Sequence, residues 1–206
     1  HEWGKEKVLK LLDWCKELNI PELTLYAFSI ENFNRPKEEF DYLMQLFAKT
    51  YEELATTEQI DKIKRSGLRI TFIGRLWMLP EKVRQAIERL MDLTAQNDTW
   101  RLNIAMAYGG RAEILDATKK IAEAVKKGEL DINTINEDVF RKNLYIESEP
   151  DLIIRTSGEK RTSGFLLWQG SYAEMAFTDK LWPEFEKEDL LAIVKDYGER
   201  ERRFGK

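Results

Sequence analysis

The stretch DLIIRTSGEKRTSGF, residues 151–165, sets Arg155, Arg161, Thr162 and Ser163 directly after a short apolar run. Three other apolar runs end in similar chemistry. Residues 23–28 lead into Ser29-Ile30-Glu31-Asn32-Phe33-Asn34-Arg35, residues 68–73 into Gly74-Arg75, and residues 101–107 into Tyr108-Gly109-Gly110-Arg111. Guanidinium forks, hydroxyls and backbone N–H groups at helix starts bind clustered anionic oxygens, and a diphosphate is the simplest such ligand. Each motif also has a plain reading: Gly-Gly-Arg before a helix makes a turn, and Arg35-Pro36 opens a helix. Their recurrence after four strand-like runs is what carries the argument. Neither a GxxxxGK[ST] loop nor a strand-linked GxGxxG is present, so ordinary nucleotide loops are not supported.

Two carboxylates stand out. Glu159 lies between Arg155 and Arg161 and is expected to orient them. Glu174 sits in the apolar segment SYAEMAF. A carboxylate with apolar flanks is costly unless it is paired or binds a metal, and the segment alone leaves both roles open. Trp168 reads as core. His1, the single histidine, reads by position as a chain end, and Cys15, the single cysteine, as a core residue on a helical pattern.

These groups need elements to position them. Val8, Leu11, Leu12, Cys15 and Leu18 repeat at helical spacing within 4–18. Helices are also predicted over 36–55 and 80–96, opened by Pro36 and Pro80, and over 111–127, 136–143 and 186–202. Strands are predicted at 23–28, 68–73, 101–107 and 151–154, with another at 165–168. Strands alternating with helices predict an α/β fold with a mainly parallel sheet covered on both faces. In such sheets ligands bind beyond the carboxyl ends of the strands, where the arginines fall, and all four ends are expected on one sheet edge.

The chain has 206 residues and a net charge of −4, which argues against nucleic-acid binding by bulk charge. One cysteine excludes a disulfide framework and suits a reducing, cytoplasmic setting. No run approaches the roughly 18 apolar residues of a membrane span, and no signal peptide is visible.

Taken together the motifs resemble the cis-prenyltransferases, the undecaprenyl or polyprenyl diphosphate synthase family. YAFSIENFNRP, NIAMAYGGRAEI, DLIIRTSGEKRTSGFLLWQGSYAEMAF, LWPEF and ERERRFG match that family's segments in order, from His1 to Gly205. The resemblance implies a mainly parallel β-sheet wrapped by α-helices around a hydrophobic tunnel, and a homodimer. It implies elongation of an allylic diphosphate, farnesyl or geranylgeranyl, with isopentenyl diphosphate units that each add a cis double bond, in the presence of Mg2+. It places His1 and Arg35 on the allylic diphosphate, Ser29, Glu31 and Asn32 in a polar cluster beside the reacting centre, and Ile30 and Phe33, the latter where an aromatic is usual, among the substrate-binding residues. An amide is too weakly basic to take a proton directly, so Asn32 is expected to orient rather than act as a free base. Arg155, Arg161, Thr162 and Ser163 would hold isopentenyl diphosphate, Glu174 would bind Mg2+, and Arg203 with Gly205 would form an RxG motif reaching a diphosphate across the dimer. Gly164 stands where the family commonly has asparagine.

The family also carries a DGNGRWA-like motif before its GHxxG segment, with a metal-binding aspartate. The chain starts after that point, so residues 1–206 are expected to form a single, N-terminally incomplete domain of a longer enzyme. A long polyprenyl product implies contact with a membrane face. A non-catalytic diphosphate-binding subunit of a two-subunit prenyltransferase is the alternative, but the resemblance implies loss of the RTSGExR side in such subunits, and here it is present. A phosphate-ester hydrolase would need a nucleophile with a base, and the lone histidine is terminal.

Overall fold

A computed structural model of the chain describes residues 2–200, with side chains from Lys7 onward. It divides into two compact units: one spans Asn19–Glu147, and the other joins the residues up to Leu18 to those from Ser148.

The larger unit is built on β3 (Trp100–Tyr108), which pairs in parallel with β1 (Glu22–Ser29) on one side and β2 (Leu68–Ile73) on the other. Residues 102–108 of β3 are all buried, as its unbroken apolar run requires of a middle strand covered on both faces. Helices α2 (Lys37–Leu54), α3 (Thr57–Ser66), α4 (Glu81–Thr94), α5 (Gly110–Lys126) and α6 (Glu137–Arg141) make up the rest of its regular structure, with short 3-10 turns. The α4 stripe of Val83, Ala86, Ile87, Leu90 and Thr94 is buried at helical spacing. The sequence pattern missed α3 because it buries only Ile60. Gly67 ends α3 in a left-handed conformation, φ 71°.

The carboxyl end of this sheet is irregular. The β1–β3 register runs Tyr26↔Ala105, Phe28↔Met106, Ser29↔Tyr108, skipping Ala27 on one strand and Ala107 on the other. Ala107 is buried with φ 46°. The two skips bend the strand ends and set Ser29 opposite Tyr108. Phe28 turns inward and meets Phe33 edge-on at 5.3 Å, and Phe33 meets Phe40 at 5.5 Å. Phe47 and Tyr51 extend this aromatic layer to Phe72 of β2.

The smaller unit holds α1 (Glu2–Glu17), the parallel pair β4 (Leu152–Arg155) and β5 (Glu174–Phe177), and α7 (Lys187–Glu199). Leu11, Leu12 and Cys15 of α1 are buried, and Lys7 Nζ bonds Glu186 Oε1 at 2.7 Å. The structure corrects two sequence readings. Residues 165–168 form turns, because Leu166 takes φ 44° and its carbonyl accepts the Gly170 N–H at 2.7 Å. The strand lies instead at Glu174–Phe177, where the charged first residue hid it. Three of the four predicted strand ends share one sheet, while among the described residues β4 pairs only with β5.

Gly74 marks how tightly the β2 end sits on β3. Its φ is 127°, and an added Cβ would lie 2.1 Å from the Met106 carbonyl oxygen. Gly74→Ala should therefore lower stability by about 2–4 kcal/mol in urea unfolding, from backbone strain plus the clash. An unchanged midpoint would show that the β2 end is free to move.

Candidate active site

Each unit carries one group of the predicted residues. In the larger unit, β1 ends at Ser29 and a 3-10 turn spans Ile30–Asn34. The Ser29 backbone N–H donates to Asn32 Oδ1 at 2.9 Å, so the Asn32 oxygen is held by its own turn and its NH2 remains as a donor. Ile30 is half-buried, with its Cδ1 3.4 Å from where a Cβ on Gly109 would sit, so the first glycine of Tyr-Gly-Gly-Arg permits this approach. Phe33 belongs to the aromatic layer described above. Glu31 is exposed. Arg35 bonds Glu39 one helical turn on, at 2.5 Å.

The β2 end differs from its expected role. Arg75 is not a spare anion binder: its Nε and Nη2 grip both oxygens of Asp116, at 2.9 and 2.8 Å. Tyr145 donates its hydroxyl to the same carboxylate. The Tyr145 backbone N–H donates to Glu113 Oε1 at 2.8 Å, and Glu113 Oε2 accepts the Tyr108 hydroxyl at 2.5 Å. The Tyr26 hydroxyl in turn donates to the Tyr108 carbonyl at 3.2 Å. Two carboxylates three residues apart on α5 thus tie the ends of β1, β2 and β3 together. The sequence signal for this pair is the spacing of Glu113 and Asp116 around apolar Ile114 and Leu115. Arg111, at the start of α5, is exposed.

In the smaller unit the loop after β4 is wound tightly. Ser157, Gly158, Ser163, Gly164 and Leu166 all have positive φ. Arg155 Nη1 donates to the Arg161 carbonyl at 2.6 Å and to Ser163 Oγ at 2.8 Å, bracing the loop from within. Arg161 points outward and bonds Glu159 Oε2 at 2.5 Å, so Glu159 orients this arginine but not Arg155. Thr162 is exposed, and its carbonyl accepts the Phe165 N–H at 3.0 Å. On β5, Glu174 Oε2 is buried without a hydrogen bond, although Arg200 Nη1 lies 3.2 Å away. His1, Arg203 and Gly205 lie outside the described residues.

The undecaprenyl diphosphate synthase family model matches residues 1–205. The chain belongs to the undecaprenyl diphosphate synthase family. It is a prenyl-transferring enzyme. A tritrans,polycis-undecaprenyl-diphosphate synthase (geranylgeranyl-diphosphate specific) of Methanocaldococcus jannaschii is 49% identical over 210 residues, covering 100% of this chain and 74% of that protein. The Pyrococcus horikoshii protein of the same name is 46% identical over 208 residues, covering 100% and 78%. Among solved structures, a probable undecaprenyl diphosphate synthase of Campylobacter jejuni superposes with a TM-score of 0.86 at 36% identity, covering 100% of this chain and 93% of that one. Lavandulyl diphosphate synthase of Lavandula x intermedia, in complex with dimethylallyl diphosphate, gives 0.89 at 36% identity, covering 100% and 88%.

Membership of the undecaprenyl diphosphate synthase family raises the question of a metal. Among the described residues no three His, Cys, Asp or Glu side chains cluster to form a complete protein cage. A buried carboxylate oxygen without a hydrogen bond, as at Glu174, does fit Mg2+, which is commonly held by one or two carboxylates together with substrate phosphate oxygens.

The Asp116 cluster gives a pH test. The Arg75 guanidinium, and to a smaller degree the Tyr145 hydroxyl, hold the Asp116 carboxyl below the usual carboxylate range against the opposing effect of burial. A depressed carboxyl stabilises the fold fully above its unfolded value of about 4 and loses that contribution as pH falls through the folded value. Asp116→Asn should cost about 2 kcal/mol at neutral pH. The gap between variant and parent should narrow as unfolding is followed into acid. A gap that stays constant into acid would mean that the Asp116 charge is not what the substitution removes.

Proposed function

We propose that this enzyme elongates an allylic diphosphate with successive isopentenyl diphosphate units, each added with a cis double bond, to give a long polyprenyl diphosphate carrier. Geranylgeranyl diphosphate is the preferred primer, with farnesyl diphosphate as the shorter alternative. The names of the archaeal relatives support that choice. The observation that carries the reading is the loop after β4, where Arg155 holds Ser163 in place and the exposed Arg161 guanidinium pairs with the exposed Glu159 carboxylate.

In this scheme Arg161, Ser163 and Thr162 grip the isopentenyl diphosphate, and Arg155 shapes the loop that presents them. Arg35 and His1 take the allylic diphosphate, and Arg203 with Gly205 contributes to a diphosphate site in a homodimer. The alkene of isopentenyl diphosphate forms a bond to C1 of the allylic group as diphosphate leaves, and a proton is then lost. Ser29, Ile30, Glu31 and Phe33 flank the reacting carbons. Asn32, with its oxygen already bonded, donates a hydrogen bond and so orients rather than accepts that proton. Glu174 would hold Mg2+, which would supply neutralisation of the charge that develops on the leaving diphosphate. No described helix is long and apolar enough to cross a membrane, and the insolubility of a long hydrocarbon product supports work at a membrane face.

Incubation with geranylgeranyl diphosphate and labelled isopentenyl diphosphate should give polyprenyl diphosphates, resolved by chromatography. Arg161→Ala should raise the KM for isopentenyl diphosphate at least tenfold, the scale of one lost charge-assisted contact of roughly 1.5–3 kcal/mol. The KM for the allylic primer should change little. Absence of label in long products would overturn the reaction, and an unchanged isopentenyl KM would overturn the role of Arg161.

A further inference from the structure

We infer that Arg200 is a built-in placeholder cation for Glu174, held off full bonding by Asp196 so that one carboxylate oxygen stays open to a divalent metal. The inference rests on the reading of Glu174 as a metal ligand.

Four observations combine. Glu174 Oε2 is buried and has no hydrogen bond, which is costly for a carboxylate unless a positive charge stands near. Arg200 Nη1 supplies that charge at 3.2 Å, but outside hydrogen-bond geometry. The guanidinium is instead anchored on Asp196, whose Oδ2 accepts from Nε at 3.1 Å and from Nη2 at 2.5 Å. Asp196 sits on the last turn of α7, four residues before Arg200, and Glu174 opens β5. The carboxylate is therefore neutralised without having its lone pairs filled. A guanidinium gains most from aligned N–H···O bonds, and this one makes them elsewhere. A compact divalent ion offers twice the charge and no angular demand on an N–H. It can take the open oxygen while Arg200 stays on Asp196.

The arrangement predicts opposite effects from its two members. Removing the placeholder relieves competition for Glu174, so Arg200→Met should tighten metal binding. Neutralising the anchor frees the guanidinium to close onto Glu174, so Asp196→Asn should weaken it. Metal binding is read directly, without turnover, from the free Mn2+ signal in electron paramagnetic resonance during titration with Mn2+ and inorganic pyrophosphate. Thermal unfolding of each variant confirms that it is folded. The apparent Kd for Mn2+ should fall three- to tenfold in Arg200→Met and rise about threefold in Asp196→Asn. In a Glu174→Gln background the Arg200→Met effect should vanish. Unchanged or weaker binding in Arg200→Met, or unchanged or tighter binding in Asp196→Asn, overturns the inference. If Glu174→Gln alone weakens Mn2+ binding while Arg200→Met does not tighten it, the metal role of Glu174 stands and only the placeholder falls. If Glu174→Gln leaves binding intact, both fall.

Discussion

The larger unit depends on burying β3 on both faces. A strand with residues 102–108 all inside offers no exposed face to carry chemistry, so polar groups gather at its ends. At the carboxyl end, the skipped residues Ala27 and Ala107 reset the register, and Ser29 comes opposite Tyr108. Gly74 lets the β2 end close against Met106, while the Arg75 N–H donates to the Ala107 carbonyl at 3.0 Å. The turn that carries Asn32 is thus positioned by backbone constraints on its neighbours. Its own side chains add one local bond, from the Ser29 N–H to Asn32.

Two carboxylates of α5, the buried Glu113 and the half-buried Asp116, secure that edge. Glu113 spans a phenol and a backbone N–H, and Asp116 spans a guanidinium and a phenol, so the polar atoms taken from water there find partners. A half-satisfied network would cost more than an apolar core, whereas a filled one fixes a single arrangement. The loop after β4 achieves rigidity differently. It uses positive φ at Ser157, Ser163 and Leu166, which L-residues adopt at a cost, and an arginine bonded to its own loop.

Periodicity made the helices and the three longer strands legible in the sequence, since α4 and β3 bury the residues their patterns select. It failed where burial was slight or mixed. Polar α3 is short and buries one residue, so its two isoleucines make too narrow a stripe to stand out, and β5 begins with a glutamate that masks its apolar run. FLLW looked like a strand because four apolar residues in a row fit several conformations, and only the φ of Leu166 decides among them. Of the site, the residue types at the strand ends were legible, but their hydrogen-bond partners were not. Nothing in Gly74-Arg75 announces Asp116, 41 residues on. Nor does SYAEMAF announce Arg200, because partners so distant in sequence meet only through the fold.

Those partners resolve an apparent conflict between a net charge of −4 and an anionic substrate. Arg35, Arg75, Arg161 and Arg200 each face a carboxylate, Glu39, Asp116, Glu159 and Asp196 in turn. The arginines are held in place without leaving bare positive charge. What separates them is exposure. Arg75 and Asp116 are 25% and 13% exposed and doubly bonded, so a ligand would have to break a half-dry fork to reach them. Arg161 and Glu159 are 62% and 45% exposed, where an ion pair is worth little against water. A diphosphate can therefore exchange with Glu159 at small cost, while it cannot do so with Asp116. The same residue type at two strand ends is open to a ligand in one case and committed to the fold in the other, and solvent around the pair makes the difference.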